Sequence, residues 1–115
     1  MKNLCEFEVG DYELREIIFS IGSTSFMFKN NLRNHKFSIN FTNVSLISLD
    51  SNLTQNIVGR ILELDLQDVN SFNFVRERLR GTNNYDMSSC KKLIYIEPIA
   101  GCEVIVVCEV YTIYA

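Results

Sequence analysis

The sequence predicts a mainly β domain, either an antiparallel sandwich or a strongly curled sheet, with one short helix at about residues 71–80. Three observations point there. Apolar and polar residues alternate with period two in several segments, the pattern of strands with one buried face. The last third of the chain is dense in β-branched and aromatic residues. The 115 residues are 47% apolar and carry a single proline, which fits one packed domain spanning 1–115, because two domains would each be too small to bury much surface. An α+β arrangement with two short helices is the alternative.

Taken in order, Cys5, Phe7 and Val9 alternate with Glu6 and Glu8, which predicts a first strand with the two glutamates facing water. Residues 12–21 read two ways. Leu14, Ile17, Ile18 and Ile21 fall at helical spacing behind a possible Asp11 cap, whereas the β-branched cluster from Glu16 to Ile21 favours a strand that turns at Gly22-Ser23 into the Phe26–Phe28 strand. The strand is the preferred reading. Phe37, Ile39 and Phe41 then alternate with polar residues, and Val44 and Leu46 continue inward one residue out of phase. That slip at Thr42-Asn43 predicts a bulge or sharp bend. Leu62, Leu64 and Leu66 alternate with Glu63, Asp65 and Gln67, giving another one-sided strand with its acids outward.

A helix capped by Asn70 or Ser71 aligns Phe72, Val75 and Leu79 on one face and stops at Gly81; residues 81–89 read as a loop. The segment Leu93–Glu97 and the run Glu103–Tyr114 form a hairpin about Pro98–Cys102. The second strand is apolar on both faces, with Val104, Val106, Cys108, Val110 and Tyr114 on one and Ile105, Val107, Tyr111 and Ile113 on the other. Such a strand belongs in the centre of a sheet, covered on both sides.

Net charge is −3 and the isoelectric point is near 5.1, the balance of a soluble protein and not of a nucleic-acid binder. The longest apolar run, Val104–Cys108, is far short of the roughly 20 residues of a membrane span. With Glu6 and Glu8 where a leader peptide would be apolar, a cytoplasmic protein is expected, and Cys5, Cys90, Cys102 and Cys108 are expected to be free thiols.

Equipment for catalysis is sparse. His35 is the single histidine and sits among Arg33, Asn34 and Lys36, the setting of an exposed turn. Cys5, Cys102 and Cys108 lie in apolar strand patterns and read as buried, inert thiols. Cys102 and Cys108 lie about 20 Å apart along one strand, too far to share a metal or a disulfide. The glycines are isolated, so no phosphate-binding loop is spelled out. Neither a catalytic site nor a cofactor is predicted.

Charge is clustered instead. Glu6 and Glu8, with Glu63, Asp65 and Asp68, would form an acidic plane if their strands were neighbours, and they are the candidate partner-binding residues. Arg76, Arg78, Arg80, Lys91 and Lys92 make a basic counterpart, read as a solvated face. An acidic plane steers and selects a basic partner.

The segment Asp11-Tyr12-Glu13-Leu14-Arg15-Glu16-Ile17, the strand Phe37-Ser38-Ile39-Asn40-Phe41 followed by Asn43-Val44, and the closing Cys108-Glu109-Val110-Tyr111 look like the D-x-x-L, aliphatic-x-F-x-x-V and C-x-hydrophobic patterns of small β-rich immunity proteins. In this the chain resembles the immunity proteins of bacterial polymorphic-toxin and contact-dependent growth-inhibition systems. The resemblance implies a non-enzymatic inhibitor that binds a cognate toxin domain, often a nuclease with a basic cleft, and occludes its active site. It assigns no residues. Two other functions are carried forward: a non-catalytic assembly subunit that forms homo-oligomers through a sheet edge, and a small hydrolase or nuclease built on His35 and nearby carboxylates.

Overall fold

The computed structural model describes residues 2–49, 56–65, 67–78 and 92–115. In chain order the elements are β1 (Lys2–Asn3), β2 (Glu13–Ser20), β3 (Ser23–Asn30), β4 (His35–Thr42), β5 (Leu46–Leu49), β6 (Ile57–Glu63), α1 (Val69–Arg78), β7 (Lys92–Ala100), β8 (Val104–Cys108) and β9 (Val110–Tyr114). All strands belong to one antiparallel sheet in the order β5-β8-β7-β6-β2-β3-β4-β9, with β1 added to β6. The fold is thus mainly β with one short helix among the described residues. The single sheet meets the curled expectation, not the sandwich.

The curl comes from two kinked runs that bend together. β4 continues into β5 and β8 into β9. The pairing Thr42↔Val110 gives way to Leu46↔Val107 across the corner. Asn43 takes a left-handed backbone (φ 52°), its amide donates to the Gly22 carbonyl at 3.0 Å, and Glu109 N–H donates to the Thr42 carbonyl at 3.1 Å. Asn43 Nδ2 also donates to Glu109 Oε2 at 2.6 Å. The bend predicted at Thr42-Asn43 is therefore present. Its consequence for phase is larger than expected. Val44 and Ile47 pack on the inner core, whereas Leu46 packs on the outer layer. At Glu109 the facing also flips: Cys108 and Tyr111 are inside, and Val110 and Tyr114 are exposed. The two-faced strand 103–114 is in fact two strands, because a residue inserted at the corner reverses the alternation.

The inner face of the curl holds the main core. β3 sends in Phe26 and Phe28, β4 Phe37, Ile39 and Phe41, and β6–β8 Val58, Ile61, Ile94, Ile96, Val104 and Val106. Phe28 stacks on its register partner Phe37 with ring centroids 4.7 Å apart, and Phe26 meets Phe41 edge-on at 5.1 Å. Each such pair adds about 0.5–1.5 kcal/mol beyond area burial. A second cluster lies on the outer face of β6, β7 and β8, where Leu62, Leu64, Leu93, Tyr95, Ile105 and Val107 meet Phe72, Phe74 and fully buried Val75 of α1. Ten residues are too few for a stable isolated helix, so this packing holds α1 in place.

Several local expectations change. Residues 4–9 do not form a strand, although Cys5 and Val9 are buried and Glu6 and Glu8 exposed as the alternation requires. Leu4 N–H bonds the Ile61 carbonyl, and beyond that point the segment leaves the ladder. Residues 13–20 are a strand, resolving the helix-or-strand ambiguity, with Ile21 and Gly22 (φ 78°) as the turn. The helix begins earlier than predicted. Its cap is neither Asn70 nor Ser71 but Asp68, whose Oδ2 accepts from Ser71 N at 3.2 Å and Ser71 Oγ at 2.9 Å. Of the strand read from Leu62 onward, only Leu62 and Glu63 belong to β6, and Leu62 and Leu64 face the helix layer, not the inner core. The expectations for Leu66, Leu79, Gly81, the 81–89 loop, Cys90, Arg80 and Lys91 lie outside the described residues. No helix among the described residues is long and apolar enough to cross a membrane.

Candidate functional site

On the outer side of the sheet, Arg60 of β6 and Glu97 of β7 are register partners. Their pairing is bidentate, with Nε to Oε1 at 2.9 Å and Nη2 to Oε2 at 2.8 Å. The hydrogen bond from Arg60 holds the Glu97 carboxyl below the usual carboxylate range, and Glu97 in turn raises the guanidinium. Gly59 lets the strands lie this close: a Cβ there would sit 3.3 Å from the Glu97 carbonyl and 3.4 Å from its Oε1. One step beyond the Ile96↔Val104 pair, Glu103 comes beside Glu97. Tyr95 OH donates to Glu103 Oε2 at 2.6 Å.

Arg60 is the wall between two pockets. One, of about 260 Å³, lies between β6 and the N-terminal segment and is lined by Asn3, Cys5, Glu6, Phe7, Glu8 and Gly59 among others. The other, of about 300 Å³, lies between the first turn of α1 and the β6–β7 pair. Leu62, Phe74 and Tyr95 form its apolar walls, and Arg60, Asp68, Asn70, Ser71 and Glu97 its polar ones. Bonds from Ser71 to the Asp68 carboxylate hold that carboxyl below its ordinary range, so it is charged at neutral pH.

Three of the five predicted partner-binding residues are thus gathered about Arg60: Glu6 and Glu8 at the first pocket and Asp68 at the second. The other two are placed differently. Glu63 does not share the outer plane with Glu6 and Glu8. It lies on the same face as Ile61 and pairs with inward-facing Ile94, so it caps the interior at one end of the curl. There its side chain is only 17% exposed. Tyr111 OH donates to Glu63 Oε1 at 2.9 Å, while Lys2 and Lys92 stand 3.7 and 3.8 Å from Oε2. Leu62 and Leu64 face α1, so the alternating Glu63 turns inward; alternation alone does not say which of two covered faces is the core. Asp65 is exposed in the turn before α1, its Oδ1 accepting from Gln67 N at 2.9 Å.

Sequence reasoning missed Arg60, Glu97 and Glu103. A signal was available, since Arg60 is the one base between Lys36 and Arg76 and sits inside a strand, where a charge is most often paired across the sheet.

The potential nucleophiles and the histidine lie elsewhere. Cys5, Cys102 and Cys108 are buried, and burial pushes the Cys5 thiol up to about 11. Burial, with help from Glu63, pushes Tyr111 up to about 12. His35 opens β4, and its Nδ1 lies 2.7 Å from Tyr12 OH. Its ring meets Phe7 edge-on at 6.1 Å. Among the described residues no three His, Cys, Asp or Glu side chains stand close enough together to hold a metal ion.

The arrangement around Arg60 is two adjacent concavities that share one guanidinium, with Glu6 and Glu8 lining the first and Asp68 and Glu97 the second. No protein-family model, curated protein or solved structure matches the chain.

Proposed function

We propose that this protein is a non-catalytic inhibitor of the immunity type, which neutralises a toxin domain in the cytoplasm by covering its basic active-site cleft. The observation that carries the reading is the charge about Arg60. Glu6, Glu8, Asp68 and Glu97 line two neighbouring pockets in which Arg60 is the one cation among the described residues. Like charges held close cost stability unless a partner offsets them, and a basic surface with side chains that enter the pockets would do so. The acidic surface differs in membership from the one read from sequence: Glu97 joins it beside Arg60, and Glu63 and Asp65 leave it.

The test is co-expression with the toxin domain that this reading expects a neighbouring gene to encode. Reversing Glu6 and Glu8 to lysine should slow association by about tenfold at low salt, with the difference shrinking as salt screens it. The same variant should protect cells poorly. Equal association rates and equal protection would remove the acidic-face mechanism, and failure of the parent protein to form a complex would remove the inhibitor reading itself.

A second reading, a homo-oligomer joined at a sheet edge, is favoured by one feature. The β2–β3 hairpin tip exposes Phe19 at 69% and Ile21 fully, with Ile18 beside them. Light scattering separates the readings: a dimer that Phe19→Ser dissociates supports assembly, and a monomer at high concentration rejects it.

A further inference from the structure

We infer that the pocket between α1 and the β6–β7 pair is the seat of an arginine side chain supplied by the protein partner, an assignment that rests on the inhibitor reading above. The pocket has the two properties an arginine anchor needs. Its walls are apolar and aromatic: Leu62, Phe74 and Tyr95, the last two edge-on with centroids 4.8 Å apart. These suit the aliphatic stem of a long side chain. Among the described residues its rim carries net negative charge, two carboxylates (Asp68 and Glu97) against the guanidinium of Arg60. Arg60 occupies the Glu97 carboxylate through two hydrogen bonds, which leaves Asp68 as the acid for an incoming cation.

The positive end of the α1 dipole also faces this rim. Asp68 meets it directly by capping Ser71, so the end of the helix presents a carboxylate and not bare amides. A lysine fits less well, because its compact, strongly hydrated ammonium gains little from the aromatic walls. An acidic or purely apolar side chain leaves Asp68 unmatched. Arginine and aromatic residues dominate the energetics of interfaces when they enter pockets of this kind, and charge complementarity selects the arginine here.

The experiment is an NMR titration of the intact protein at low ionic strength with three probes: N-acetyl-arginine methylamide, the lysine analogue, and the citrulline analogue, which keeps the shape of arginine without its charge. The arginine probe is expected to shift the amide signals of Asn70, Ser71, Phe74 and Tyr95 saturably. It should bind about fivefold more tightly than the citrulline probe, the size of one partly exposed charge interaction, and the lysine probe should fall between them. Asp68→Asn keeps a good helix cap and should bring arginine down to the citrulline level; Glu97→Gln should weaken it less. Non-saturating shifts, equal binding of arginine and citrulline, or shifts confined to other residues overturn the inference. If the neighbouring toxin domain binds the protein while the pocket ignores arginine, the anchor alone is wrong. If the pocket binds arginine but no complex with that domain forms, the inhibitor reading falls, and the assignment to a partner side chain falls with it.

Discussion

The two halves of the curled sheet are built on different terms. In β3, β4 and β9 one face lines the core and the other is more open, and burial alternates almost residue by residue, while β2 beside them is exposed over most of its length. In β6, β7 and β8 both faces are covered, the inner by the main core and the outer by α1, and all five residues of β8 are buried. The bare half therefore draws its stability from one side only, while the backed half draws on two apolar layers. The backed half is also where the pockets lie. A helix laid across a sheet leaves gaps at its ends, and the gap at the first turn of α1, walled by Phe74 and Tyr95, becomes a concavity.

This contrast can be tested on its outer faces. Ile105→Ala, under the helix, should destabilise the protein by about 2–5 kcal/mol, whereas Thr112→Ala, outward on the bare half, should change stability by less than about 0.5 kcal/mol. Urea unfolding of both variants measures the difference, and equal costs would mean that α1 contributes no second layer.

The corner where the halves meet is the next point of attack. Asn43 holds a left-handed backbone there, so Asn43→Val should cost about 1–3 kcal/mol through strain and loss of the bond to Glu109. Asn43→Gly should cost less, since glycine takes that conformation freely. If valine and glycine behave alike in denaturant, the corner is not conformationally constrained.

The smallest expected effect lies where Tyr111 of the bare half reaches Glu63 of the backed half. Tyrosine ionises near 10 in the unfolded chain, but Tyr111 ionises at about 12 in the folded one. Its contribution to stability is complete below pH 10. Between about pH 10 and 12 the unfolded chain has lost a proton that the folded chain retains, so stability falls as pH rises. Tyr111→Phe should flatten that part of the alkaline limb, measured as melting temperature against pH. An unchanged limb would break the link between the halves at this end.

The same contrast explains which parts of the molecule were readable from the sequence. Phe37, Ile39 and Phe41 announced a strand and its inner face because solvent on the other side selects polar neighbours. In the backed half that selection is absent. Leu62 and Leu64 looked like core residues of a one-sided strand, when they belong to the layer under the helix and leave Glu63 turned inward. Glu6, Glu8 and Asp68 could be marked as acidic but not as neighbours, and the Arg60–Glu97 pair that ties them together joins strands 37 positions apart.

By itself the sequence determined the mainly β character, the short helix, the bend after Thr42 and the excess of carboxylates, because each depends on residues adjacent in the chain. Tertiary structure alone decided that the sheet curls into one body, that α1 backs one half of it, and that four of those carboxylates gather about a single arginine. Those outcomes depend on register, bulges and the corner at Glu109. Shifting a strand by a single residue exchanges its two faces, and local periodicity carries no information about which register the folded chain adopts.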